Sequence, residues 1–189
     1  NFDIRKTLLK FDDVMNDQRQ VIFNQRKMIL KSKEILSTVD SFLDEVCEEY
    51  SQEKNNLEKL NEIEGLKTKL KTLLGRSADE IKINEIIKLD NKKFILSIKD
   101  KFKEKRDNRI KNVSQEVNDD LEKRIFIETL DFSWRAHLQY LEQLRQVIGL
   151  RSYGQKDPLV EFKREAFELF EVLLKKVKLD VLTFLNNIE

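Results

Sequence analysis

The chain has 189 residues, of which 38% are charged and 40% hydrophobic, and its formal net charge is +1. Four glycines and one proline beside so much charge exclude a loop-rich α/β enzyme and point to long helices with narrow apolar stripes. The near-neutral balance gives no global reason for a polyanion partner, and Cys47, the single cysteine, excludes a disulfide framework or a multi-cysteine metal site. No apolar run approaches the roughly 18 residues that span a bilayer, and no signal peptide is visible. Asn1 already stands in a helical pattern, so the chain reads as a segment of a longer protein.

The first stretch, Phe2 to Leu30, contains neither glycine nor proline. Ile4, Leu8, Phe11, Met15, Ile22 and Ile29 recur at helical steps, with Gln18 and Gln25 or Arg26 in the polar gaps. A helix of this length extends about 44 Å at 1.5 Å per residue. Leu9, Val14, Val21, Phe23 and Met28 make it apolar on more than one side, as expected of a scaffold with several neighbours. Lys31 to Lys33 is a polar joint. Helical spacing resumes from Glu34 to Tyr50 through Ile35, Val39, Phe42 and Val46, and the polar cluster Ser51 to Asn56 reads as a loop.

A short helix over Leu57 to Leu74, interrupted or bent near Gly65, is expected to end at Gly75 as its C′ residue. Ser77 with Glu80 three residues on matches a capping box. Ile81 to Leu89 should then be a helix, its β-branched residues leaving a strand open. From Asn91 to Ile148 there is again no glycine or proline. Apolar residues thin out between Lys99 and Lys111, and a bend or a change of packing partner is expected near Asn112 to Ser114. Residues 32–114 thus form an inserted helical module.

The last part reads as a helical hairpin. One arm carries Val117, Leu121, Ile125, Leu130, Trp134, Leu138, Leu141, Leu144 and Ile148. The other carries Leu159, Phe162, Ala166, Phe170, Leu173, Val177, Val181, Phe184 and Ile188. Gly149 stands where a C′ residue would, and Asp157-Pro158 suits the N-cap and first position of the second arm. Bulky side chains beside the second arm's seam suggest that it also packs on the N-terminal helix. The tip offers Arg151, Ser152, Tyr153, Gly154, Gln155 and Lys156. The Tyr153 ring either faces a partner or folds back onto the hairpin end.

Catalytic patterns are sparse. His137, the only histidine, has no second ligand at metal spacing and reads as a packing or surface residue. Cys47 has no local group to activate it. Asp12-Asp13 and Asp119-Asp120 diverge by about 100° on a helix, so neither pair converges on one atom. The glycines form no phosphate loop. By itself the segment is not expected to be an enzyme. The basic stretch Lys99 to Lys111 reads as a solvated face, with a nucleic-acid-binding helix as the competing reading.

Two ordered groups of residues carry a family resemblance. Asn1-Phe2-Asp3-Ile4-Arg5-Lys6, Leu8-Leu9, Phe11-Asp12-Asp13-Val14, Asn16-Asp17-Gln18-Arg19 and Gln25-Arg26 resemble the start of the scaffold helix in the SecA preprotein translocase family. Leu130-Asp131, Trp134, His137-Leu138, Leu144-Arg145, Gly149-Leu150-Arg151 and Tyr153-Gly154-Gln155-Lys156-Asp157-Pro158 resemble the family's two-helix finger, as do Phe162-Lys163-Arg164-Glu165, Phe167 and Phe170. Phe11, Ser152 and Phe162 are mild departures from the residues common there.

The resemblance implies an all-α fold: a long scaffold helix packed with a helical hairpin, plus an inserted small helical wing module. Residues 1–31 would be the first part of the scaffold, 32–114 the wing, and 115–189 the finger with the remainder of the scaffold. It implies a segment of an ATP-driven export motor, cytoplasmic and peripheral on the inner membrane of a bacterium, with ATP and Mg bound elsewhere in the parent. Implied partners are the SecYEG channel, the unfolded preprotein and the parent's own nucleotide-binding and preprotein-crosslinking domains. An acidic phospholipid surface is admitted and nucleic acid is not. Arg151, Ser152, Tyr153, Gly154, Gln155 and Lys156 would make the tip contact. The alternative is a free-standing coiled-coil adaptor without motor function.

Overall fold

The computed structural model describes residues 2–57, 60–151 and 157–188, and of Leu60, Asn61 and Arg151 the backbone alone. Its helices are α1 (Phe2–Lys31), α2 (Ile35–Asn55), α3 (Leu60–Leu74), α4 (Glu80–Lys88), α5 (Asn91–Val113), α6 (Gln115–Arg151) and α7 (Pro158–Asn187), with one 3-10 turn at Gly75–Ser77. No strand occurs among the described residues, in accord with the all-α expectation and the scarcity of breakers. Two compact units are formed, residues 1–32 with 126–177 and residues 33–125 with 178–189. The division falls within α6 and α7, so each of these helices contributes residues to both units.

In the first unit α1 buries Phe11, Met15, Gln18, Ile22 and Ile29. Ile4 and Leu8, expected in the same seam, are exposed. Phe11 and Met15 pack with Leu141, Leu144 and Ile148 of α6 and with Phe162 and Ala166 of α7. The second arm therefore meets the N-terminal helix as expected, but through its seam residues Phe162 and Ala166; Val160 and Phe167, whose bulk beside the seam suggested the contact, are exposed.

The second unit packs α2 against α5 and α3, and α3 against α4 and α5. Ile35, Val39, Leu43, Val46, Cys47 and Tyr50 form the buried stripe of α2. The expected loop at Ser51 to Asn56 is instead helical to Asn55. Polarity alone does not end a helix: Ser51 is buried, Glu53 pairs with Lys69 at 2.7 Å, and Lys54 donates to Asn91 Oδ1 at 3.2 Å.

Three further boundaries differ from expectation or sharpen it. Gly65 sits inside α3 without interrupting it, whereas Gly75 closes that helix with φ +52°. Asp79, not Ser77, caps α4, its carboxylate accepting from Lys82 N–H at 2.8 Å. Ser77 belongs to the 3-10 turn, and its hydroxyl accepts from Asn186 Nδ2 at 3.4 Å. The long breaker-free stretch does break near Asn112 to Ser114, with α5 ending at Val113.

The seam of α6 is displaced from the apolar spacing in its first turns. Val117 is exposed while Asn118 and Glu122 are fully buried. Near the end of α7, Phe184 is exposed and Val181, Leu182 and Leu185 are buried. The solvated reading of Lys99 to Lys111 also fails for two members. Arg106 and Arg109 turn inward onto Glu122, at 2.9 and 3.2 Å.

Candidate contact site at the hairpin end

The hairpin of the first unit is braced against α1 at several levels. The rings of Phe11 and Phe162 meet edge to face, with centroids 5.0 Å apart and planes at 62°. Ala166, fully buried and small, lets Gln18 come close enough to donate from Nε2 to the Ala166 carbonyl at 3.0 Å. The other end of the same amide, Gln18 Oε1, lies 2.7 Å from His137 Nε2. An amide oxygen only accepts, so the histidine carries its proton on Nε2. A single buried side chain thus ties α1 to both arms.

His137 packs beside the rings of Trp134 and Phe170, at centroid distances of 5.6 and 5.7 Å, and those two rings also meet, at 6.5 Å. Burial holds its pKa below the usual histidine value, so the imidazole is neutral near pH 7. Outside this layer Arg145 donates to Asp12 at 2.6 Å and Arg26 to Asp131 at 3.2 Å. Both ion pairs are partly solvated, so they set register more than they add stability.

Toward the tip, Ile148 and Phe162 are the last buried apolar residues of the two arms. The α6 helix does not stop before Gly149 as expected. It continues to Arg151, because an exposed glycine inside a helix costs only about 1 kcal/mol. The second arm starts where the sequence placed it. Asp157 Oδ1 accepts from Leu159 N–H at 2.9 Å, and Asp157 O accepts from Glu161 N–H at 3.1 Å, with Pro158 as the first helical residue. Ser152, Tyr153, Gly154, Gln155 and Lys156, together with the Arg151 side chain, lie outside the described residues. In the described helix ends, Leu150, Val147 and Val160 expose apolar side chains, Leu150 to 78%. The spacing of Leu150 beyond the last seam residue is the sequence signal for this exposure.

The reactive residue types elsewhere are held inert. Cys47 is fully buried, and burial foremost pushes its pKa up to about 12, so no thiolate forms near neutrality. Tyr50 is likewise raised to about 12, again chiefly by burial. Among the described residues no group of three His, Cys, Asp or Glu is placed to hold a metal ion. Gly65 and Gly149 stand inside helices, and Gly75 is crowded by Asn187, so none opens a phosphate cradle. No nucleotide chemistry is assigned to the described residues. No described helix is long and apolar enough to cross a membrane.

Among the described residues, the hairpin is thus braced on α1 and exposes Leu150, Val147 and Val160 near its end. A family model described as "SecA Wing and Scaffold domain" matches residues 1–189. Among the similar proteins, the protein translocase subunit SecA of Pelagibacter ubique is 49% identical over 189 residues, all of this chain and 22% of that protein. That of Thermodesulfovibrio yellowstonii is 39% identical over 194 residues, and subunit SecA 1 of Nitrobacter hamburgensis 39% over 195, each covering all of this chain. The chain spans 20–22% of the length of these curated relatives. With the family model covering every residue, the chain belongs to the SecA wing and scaffold family.

Proposed function

We propose that the chain is the scaffold, wing and finger segment of an ATP-driven protein-export motor. Residues 1–31 form the first part of the scaffold, 32–114 the wing, and 115–189 the finger with the rest of the scaffold. Its hairpin presents Arg151, Ser152, Tyr153, Gly154, Gln155 and Lys156 to an unfolded preprotein at the cytoplasmic mouth of the SecYEG channel. ATP and Mg act in the parent's nucleotide-binding domains, whose movement the scaffold helix passes on. The parent works in the cytoplasm, peripheral on the inner membrane. The observation that carries this reading is the Gln18–His137–Ala166 brace, which fixes both arms to one long helix. Intrahelical hydrogen bonding makes such arms stiff relative to a loop.

The free-standing adaptor is not favoured, because the family match runs through the whole chain. The test is Tyr153→Gly in the complete translocase subunit. Helicity by circular dichroism stays unchanged while preprotein transport into SecYEG vesicles falls, by about tenfold if the ring supplies ~1.4 kcal/mol of contact. Transport at the wild-type rate removes Tyr153 from the contact.

A further inference from the structure

The sequence from Asn91 to Ile148 offers no glycine or proline to stop a helix, yet α5 and α6 are separate. The break falls on Ser114, at φ 90° and ψ 162°. Glycine occupies that region freely, and residues with a Cβ are strained in it. Ser114 is the one non-glycine residue with positive φ among the described residues. Its local bonds are ordinary for a corner. Its N–H donates to Ile110 O at 2.9 Å, its carbonyl accepts from Asn118 N–H at 3.1 Å, and its hydroxyl caps Val117 N–H at a long 3.4 Å.

A stronger restraint spans the corner. Arg109 donates from Nε to Asn118 Oδ1 at 3.0 Å, from Nη2 to Glu122 Oε1 at 3.2 Å and from Nη1 to Leu185 O at 2.7 Å. Arg106 donates to both oxygens of Glu122, at 2.9 and 3.2 Å, and to Asp40 at 2.7 Å. Glu122 is fully buried and its carboxylate is shared by two guanidinium groups. Burial depresses Arg106, but Glu122 and Asp40 outweigh it and leave its pKa raised; for Arg109 burial prevails over Glu122 and the pKa is lowered. Arg106, Arg109 and Glu122 line a cavity of about 400 Å³, so open volume borders the grip. A strained residue persists only where its surroundings over-determine it.

We propose that the α5–α6 corner is a two-state hinge: bent while Arg106 and Arg109 grip Glu122, and straight, as one helix running through Ser114, when the grip is released. The straight form relieves the strain, and the sequence around Ser114 has nothing to oppose it. The bent form keeps the buried ion pair, whose loss would leave charges without partners. The hinge is internal to the second unit and does not depend on the hairpin's role.

The test is the distance between spin labels at Lys92→Cys and Asp120→Cys, both exposed sites, in the 189-residue chain, with the buried Cys47 left in place. In a continuous helix these positions are about 42 Å apart at 1.5 Å per residue; a corner brings them closer. The unaltered corner gives the shorter distance. Glu122→Gln gains a population near the straight-helix value with helicity kept, and adding Ser114→Gly returns it to the shorter one. Unchanged distances in Glu122→Gln, or no reversal by Ser114→Gly, overturn the hinge. Should Glu122→Gln lose its helicity, Ser114→Gly alone decides: a raised thermal midpoint supports stored strain, and an unchanged or lowered midpoint refutes it.

Discussion

At the scale of single residues, the brace between α1 and the hairpin contains a histidine that burial keeps neutral near pH 7. Gln18 uses its amide nitrogen on the Ala166 carbonyl and its oxygen on His137 Nε2, so the layer is satisfied with one proton on the ring. Burial holds the folded pKa of His137 below its unfolded value of about 6.5. The unfolded chain therefore takes up the second proton first. The resulting stabilisation is fully present above about pH 6.5 and is lost as pH falls through the lowered folded value. Thermal unfolding followed from about pH 7.5 to about pH 5 should show a falling midpoint, and His137→Gln, which keeps a donor for Gln18, should flatten that slope. Equal slopes in the two proteins would refute the assignment. The packing role of His137 was legible, because no ligand or base stood near it in sequence. Its partner was not: Gln18 is 119 residues away, and a lone glutamine in an apolar seam carries no sign of what it meets.

At the scale of elements, the same residue type ends one helix and continues another. Gly75 has φ +52° and a Cβ there would run into Asn187 Oδ1, while Gly149 lies in α6 with nothing within 4 Å of an added Cβ. Alanine should consequently act in opposite directions. Gly75→Ala loses about 1–2 kcal/mol by forcing a Cβ into the left-handed region, besides displacing Asn187. Gly149→Ala gains about 0.5–1 kcal/mol from helix propensity. Urea unfolding of the two variants measures both, and shifts of the same sign would contradict the geometry. Helix existence was legible throughout, since stripes of three and four survive dense charge. Ends were less so. Asp79 rather than Ser77 caps α4 because Ser77 is drawn into the turn with Asn186, and α2 outlasts its polar end because Glu53 and Lys54 find partners on other helices. The buried Asn118 and Glu122 were missed for a related reason. Two polar residues one helical turn apart look solvated until Arg106 and Arg109, also polar, are found opposite them.

At the scale of the whole molecule, periodicity locates helices without saying which distant ones share a core. In the second unit the missing partner comes from the far end of the chain, where 178–189 complete residues 33–125. Asn186 donates to the carbonyls of Leu73 and Leu74 at 3.2 and 2.8 Å, and Asn187 to Thr72 O at 3.3 Å. These bonds satisfy backbone groups that the end of α3 leaves without helical partners. Leu185 supplies the carbonyl that Arg109 holds, Lys178 reaches Glu45 at 2.6 Å, and Val181, Leu182 and Leu185 are buried. Burying each of those three side chains is worth roughly 1.5–3 kcal/mol, against a typical domain stability of about 5–15 kcal/mol. Truncation after Val177 therefore removes most of the margin that keeps the second unit folded. Hydrogen exchange in the truncated chain should show amide protection lost across α3 and α5, and kept in α1 around Phe11 to Ile22. Protection of α3 at its wild-type level would mean that residues 33–125 fold without their C-terminal complement, and that the Asn186 and Asn187 caps are dispensable.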